Sequence, residues 1–112
     1  MQVNWKDELS VAITICDKNG IILDMNKKSA ASFAKEGGYQ LIGKNLFECH
    51  SEDSVRKINE LIKENKTNIY TIEKNGVKKL IYQSPWSENG ELKGLVELTF
   101  EIPENMPHFI RS

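Results

Sequence analysis

Asn26-Lys-Lys-Ser-Ala-Ala-Ser-Phe-Ala-Lys-Glu-Gly-Gly-Tyr-Gln-Leu-Ile-Gly-Lys-Asn-Leu-Phe47 is the stretch whose reading decides the fold. It opens where an apolar strand ends. Asn26 is placed to cap an Ala-rich helix over Lys27–Lys35, because a short side-chain oxygen at that position accepts from the first free backbone N–H groups. Ala30, Phe33 and Ala34 share one face of that helix. Gly37-Gly38 stops it. Tyr39-Gln-Leu-Ile-Gly43 starts a second short helical piece, on which Leu41, Ile42, Leu46 and Phe47 are core anchors, and Gly43 permits a sharp turn between its two parts.

Working toward the N-terminus, Ile21, Leu23 and Met25 alternate with their neighbours, as do Val11, Ile13 and Ile15 with Ala12, Thr14 and Cys16. A period of two is that of a half-buried strand. Asp17-Lys-Asn-Gly20 between them is a hairpin turn, since Asn and Gly accept positive φ. Farther out, Asn4 can cap a short helix on which Trp5 and Leu9 share a face.

Toward the C-terminus, Ser51 caps the longest helix, with Glu52 and Asp53 complementing its dipole and Val55, Ile58, Leu61 and Ile62 as its buried stripe. Three strands follow: Asn68–Glu73, Val77–Trp86 and Leu92–Ile102, separated by the turns Lys74-Asn-Gly76 and Ser87-Glu-Asn-Gly90. In the last strand Val96, Leu98, Phe100 and Ile102 share one face, and Glu97, Thr99 and Glu101 the other. Pro103 ends it. The chain thus divides into an N-terminal cap helix (1–10), a main domain (11–103) and a tail (104–112) whose Met106, Phe109 and Ile110 can dock on a partner.

The element order is β-β-α-α-α-β-β-β. It predicts an α+β fold with one five-stranded antiparallel sheet and the helices packed on one face, and it excludes a parallel βαβ sheet. At 112 residues the chain is one domain with a modest core. Lys plus Arg is 15 and Asp plus Glu is 16, a formal net charge of −1, so no bulk positive field exists to attract nucleic acid or anionic lipid. Lys27-Lys28 and Lys78-Lys79 are short pairs without interleaved aromatics. No apolar run approaches the ~20 residues that span a bilayer, and the N-terminus has no apolar signal core. With only Cys16 and Cys49, a disulfide framework is not expected and a reduced cytoplasmic setting is.

Asp17-Lys-Asn-Gly-Ile-Ile-Leu-Asp-Met-Asn26, Tyr39-Gln-Leu-Ile-Gly43-Lys-Asn-Leu-Phe47 and Asn89-Gly90-Glu-Leu-Lys-Gly94-Leu-Val-Glu-Leu-Thr-Phe-Glu-Ile102, in that order and spacing, resemble the PAS sensory fold over Ser10–Ile102. Gly43-Lys-Asn-Leu-Phe-Glu-Cys49-His50 before the long helix is similar to a PAS subgroup carrying a Cys-His pair, though the proline common soon after the histidine is missing. The resemblance implies a sensory, non-catalytic domain that binds a small ligand or a partner and transmits a conformational signal. It also implies homodimerisation, for which Trp5, Leu9 and Val11 offer apolar interface surface. With no kinase, cyclase or DNA-binding segment in the sequence, the expected output is a separate signalling protein, or the chain is a fragment of a longer one. Light-sensing LOV domains, a branch of the same fold, resemble Gly-x-Asn-Cys-Arg-Phe-Leu-Gln at this point. Here Leu46 stands where the flavin-bonding cysteine would be, so a LOV-type flavin adduct is not expected and the cofactor is left open.

A pocket between the long helix and the sheet would draw on Asn26, Phe33, Leu46, His50, Ile58, Tyr70, Tyr82, Ser84 and Trp86. Tyr82, Ser84 and Trp86 share a strand face with Leu80; if that face meets the helices, their polar groups address a ligand among apolar neighbours, and otherwise they are core aromatics and a satisfied serine. Asn26 is first a helix cap. His50 is the remote candidate for a heme or metal ligand, against the plainer reading of a histidine satisfying loop carbonyls. Cys49 is either a thiol activated by the helix N-terminus or a small hydrophobe. A Cys-His catalytic pair lacks any oxyanion-hole motif, so no enzyme is expected.

Overall fold

The computed structural model describes residues 3–48 and 50–112. β1 (Ala12–Asp17) and β2 (Ile22–Met25) form a hairpin. Asp17 closes its turn: one carboxylate oxygen accepts from Asn19 N at 2.9 Å and Ile21 N at 3.0 Å, and Gly20 supplies the left-handed residue at φ 82°. α1 (Lys27–Ser32) follows, then three short 3₁₀ turns at Ala34–Glu36, Gly38–Leu41 and Leu46–Glu48. α2 (Glu52–Glu64) leads into β3 (Asn68–Lys74), β4 (Val77–Glu88) and β5 (Glu91–Glu101). The five strands make one antiparallel sheet in the order β2-β1-β5-β4-β3. The expected α+β architecture is therefore present.

The two C-terminal hairpins turn on Asn75-Gly76 and Asn89-Gly90, whose four residues all have positive φ. Asn-Gly is the pair that adopts this twist-matched turn at least cost. α2 is capped by Ser51, whose hydroxyl accepts from Ser54 N at 3.2 Å, and closed by Asn65 in the left-handed region. Its stripe of Ile58, Leu61 and Ile62 packs on Cys16 and Leu95, flanked by Leu46, Phe47 and Leu92.

Two local expectations are corrected. The helix read over Lys27–Lys35 stops at Ser32, and the chain tightens into 3₁₀ geometry from Ala34. The N-terminal helix read over 1–10 is not formed in residues 3–10, where Trp5–Glu8 make a turn. The reason is competition for carbonyls. Lys6 O accepts from Asn26 Nδ2 and Asp7 O accepts from Lys27 N, so neither is free for a helical partner four residues on. Asn4 bonds the Asp7 side chain rather than a backbone N–H.

The free edge of β2 is covered by residues 43–46. Gly43 N donates to Ile22 O (2.7 Å), Ile22 N to Lys44 O (3.0 Å) and Leu46 N to Gly20 O (2.7 Å). This rung brings the Phe47 ring onto Gly20, where a Cβ would lie 2.9 Å from the ring carbons. Among the described residues no helix is long and apolar enough to cross a membrane.

Candidate functional site

Strand register determines which side chains face the helices. Cys16 pairs with Leu95 and Leu95 with Pro85, and α2 packs on Cys16 and Leu95. Cross-strand partners project to the same side, and residues two apart share it. The helix-facing side therefore carries Thr14, Cys16, Leu95, Glu97, Ile81, Gln83, Asn68 and Tyr70.

One row on this side is polar across four strands: Thr14 on β1, Glu97 on β5, Gln83 on β4 and Asn68 on β3, each opposite the next. Asn68 Nδ2 donates to Gln83 Oε1 at 3.0 Å, and Gln83 Nε2 donates to Glu97 Oε2 at 2.8 Å. At the other end the Thr14 and Ser29 hydroxyls share a hydrogen bond, tying the row to α1. Gln83 and Ser29 are buried, and Glu97 is half-buried. α1 thus stands over the Thr14 end and α2 over the adjoining Cys16–Leu95 row. Toward β3 the side is open, with Tyr70 exposed to 42%.

Glu97 is the charge that its neighbours feel. Burial pushes the Tyr70 hydroxyl above its ordinary 10.0, and the Glu97 carboxylate adds to the rise. Burial also pushes the Cys16 thiol above its ordinary 9.0; a hydrogen bond with the Leu95 backbone opposes this, and Asp17 and Glu97 add to it.

The residues expected to line a pocket are dispersed. Asn26 is buried with both ends of its amide used. Its Oδ1 accepts from Ile13 N and Ser29 N, both at 3.0 Å. Its Nδ2 donates to Lys6 O at 2.8 Å and Val11 O at 2.7 Å. It is a junction of three segments, with no polar atom left for a ligand. Phe33 is exposed after the end of α1. Leu46 and Ile58 are in or against the core cluster. Tyr70 stands on the helix-facing side.

Tyr82, Ser84 and Trp86 do not. Their partners are Leu98, Val96 and Gly94, the side turned away from the helices. Two of them spend their polar groups within the domain: Ser84 donates to Pro85 O at 3.1 Å, and Trp86 Nε1 to Cys16 O at 3.1 Å. The apolar residues Val96, Leu98 and Phe100 share that outer side, because α2 seats its stripe on Cys16 and Leu95 instead.

His50 is exposed, and its Nδ1 donates to Leu46 O at 2.8 Å, the loop-satisfying arrangement. Among the described residues no three of His, Cys, Asp and Glu converge on a metal position. Cys49 lies outside the described residues. Two open clefts exist elsewhere. One of about 400 Å³ lies between α1 and the Gly38–Leu41 turn, lined by Ala30, Ala31, Ala34, Gly37, Gly38, Tyr39 and Lys27. The other, of about 320 Å³, involves Asp7, Leu9 and Lys28. Neither includes a residue of the polar row.

Thr14, Ser29, Asn68, Gln83 and Glu97 were missed from sequence. In the sequence Gln83 shares a strand face with Ile81, and Glu97 alternates with the apolar residues of the last strand; neither pattern sets the two side by side. Only the cross-strand register shows Thr14, Glu97, Gln83 and Asn68 in one row, and only the packing of α1 brings Ser29 to its end.

Neither a protein-family model nor a curated protein matches the chain. Solved structures do. A sensory box sensor histidine kinase from Vibrio cholerae superposes with a TM-score of 0.65 at 20% identity, over 88% of this chain and 87% of that one. A PAS domain from Colwellia psychrerythraea gives 0.64 at 19% identity, over 89% and 92%. The PAS domain of Bordetella pertussis BvgS gives 0.64 at 20% identity, over 89% and 82%. With sheet order, helix placement and these superpositions in agreement, the fold of this chain is the PAS fold.

Proposed function

We propose that the domain is a non-catalytic sensory module of the cytoplasm: a small molecule binds on the helix-facing side of the sheet, and its arrival is passed to the ends of the domain. The observation that carries this reading is the Asn68–Gln83–Glu97 relay, a hydrogen-bonded polar row lying between two helices and open at β3. Ligand sites pair apolar walls with a few convergent polar groups. Here the ring of Tyr70, exposed on the same side of the sheet, supplies an apolar wall. Transmission is supported by what the row touches. Thr14 bonds Ser29, Ser29 N bonds Asn26, and Asn26 holds the Lys6 carbonyl of the N-terminal segment. A ligand that favours one arrangement of Thr14 and Ser29 would bias that junction by its differential affinity. Native mass spectrometry after incubation with a small-molecule metabolite extract tests the binding. An added mass that is lost on denaturation, and is not acquired by Gln83→Leu, is the expected result. A bare chain throughout contradicts it.

A second reading rests on the outer side of the sheet, where Tyr82, Val96, Leu98 and Phe100 form an apolar surface beside the exposed Ile69. A second copy of the chain, delivering its signal to a separate output protein, would cover such a patch. Trp5 and Leu9, both exposed, and Val11 would extend it. Sedimentation across a concentration series reads this directly. Dimer weakened by Trp5→Ala or Leu98→Glu supports it, and a monomer at every concentration removes it.

A further inference from the structure

The polar row has a direction. Asn68 donates to Gln83, and Gln83 donates to Glu97, so the relay ends on an acceptor that carries negative charge. Ion pairs among the described residues join Lys6 to Asp24, Lys27 to Glu8, Lys28 to Glu101, Arg56 to Asp53, Lys66 to Glu64 and Lys93 to Glu91. None includes Glu97. The carboxylates of these pairs belong to the periphery, whereas Glu97 stands in the middle of the sheet on the helix-facing side, half-buried, with one oxygen held by Gln83 and no cation among the described residues. An ionised carboxylate with one oxygen unused keeps acceptor capacity, and a cationic donor arriving there would gain a charge-assisted hydrogen bond.

We propose that the ligand of this domain is a small organic cation, presenting a protonated amine or amidine to Glu97 and an apolar body to the Tyr70 ring at the open β3 end; this rests on the ligand-binding reading above. The geometry suits it. Gln83 fixes one carboxylate oxygen, leaving the other as acceptor; Thr14 of β1 stands opposite Glu97, and its hydroxyl is bonded to that of Ser29 on α1. Tyr70, whose hydroxyl feels the same carboxylate, stands at the open β3 end, where a ligand would enter. An anionic ligand would meet the Glu97 charge directly. A neutral one would gain only an ordinary hydrogen bond.

Three probes of one shape decide this: phenethylamine, phenethyl alcohol and hydrocinnamate, titrated to millimolar concentration and followed by amide chemical shifts. The amine is expected to bind tightest and to shift Thr14, Gln83 and Glu97, and hydrocinnamate to bind least. Glu97→Gln keeps the acceptor for Gln83 but removes the charge. It should weaken the amine roughly tenfold to a hundredfold, bringing it level with the alcohol. Glu101→Gln, on the same strand and paired with Lys28, should leave amine binding unchanged. Equal or tighter binding of the alcohol or the anion on the helix-facing side overturns the cation assignment and leaves the ligand-binding reading standing. No shift on that side from any probe overturns both. The comparison on the wild-type protein stands by itself even where a variant fails to fold.

Discussion

Gln83 Nε2 donates to Glu97 Oε2 at 2.8 Å across the β4–β5 pair, while the same amide accepts from Asn68 at 3.0 Å. A buried amide used at both ends orders three strands at once, and it cannot be replaced by a hydrocarbon without stranding its partners. Gln83→Leu is expected to destabilise the domain by roughly 2 kcal/mol, the scale of leaving buried polar groups unsatisfied. Urea unfolding with unchanged slope is the measurement.

Asn26 is the second such amide, and its four bonds separate two substitutions. Asn26→Ala removes the cap of α1 and the hold on Lys6 and Val11, for a loss of about 3 kcal/mol or more. Asn26→Asp keeps the acceptor for Ile13 and Ser29 but sets a carboxylate oxygen against two carbonyls. That repulsion raises the folded-state pKa of the new group. Its destabilisation should therefore be large at neutral pH and shrink on acidification, when the carboxyl is protonated and can donate. Thermal melts of both variants across the acid range check the difference.

Gly94 is not a turn residue but a point of contact between strands. A Cβ there would lie 2.0 Å from Cys16 O and under 3 Å from the Asp17 backbone, at the place where Trp86 also bonds Cys16 O. Backbone cannot yield as a side-chain tip can. Gly94→Ala should cost roughly 3 kcal/mol, the upper end of overpacking. Gly90→Ala meets nothing within 4 Å, so it reports only the left-handed backbone of its turn and should cost less.

Cys16 makes a prediction in alkali. Burial holds its thiol neutral above its ordinary value of 9.0. A raised folded-state pKa contributes stability that is complete below the unfolded value and is lost as pH climbs through the folded one. Wild-type protein should therefore lose stability above pH 9.0 more steeply than Cys16→Ala, although Cys16→Ala is less stable at neutral pH because of the space it leaves. Tyr70 adds a decline of the same sign beginning above 10.0. Denaturant midpoints for both proteins over that range give the comparison. Parallel curves contradict the burial of Cys16.

Much of the fold was legible because local chemistry repeats it. Asn-Gly at 75–76 and 89–90 can hardly be anything but hairpin turns, and Ser51 with Ile58, Leu61 and Ile62 marks one helix. The site was not, for a non-local reason. Alternation in Val96–Ile102 shows that two faces differ, but not which one meets α2, and the apolar one turns outward. Tyr82, Ser84 and Trp86 went with it. Thr14, Gln83 and Glu97 are separated by long stretches of chain, and only β1–β5 and β4–β5 register brings them together. The N-terminal turn escaped for the same reason, since Asn26 takes the Lys6 carbonyl from a distance of twenty residues.

The central claim is that the helix-facing polar row, not the apolar outer side, receives the ligand. Amide chemical-shift mapping with phenethylamine tests it most directly. The account predicts that the shifts gather on Thr14, Asn68, Gln83 and Glu97 and extend through Ser29 to Asn26 and Lys6. Shifts gathered instead on Leu80, Tyr82, Val96 and Leu98, with the row unmoved, would contradict it.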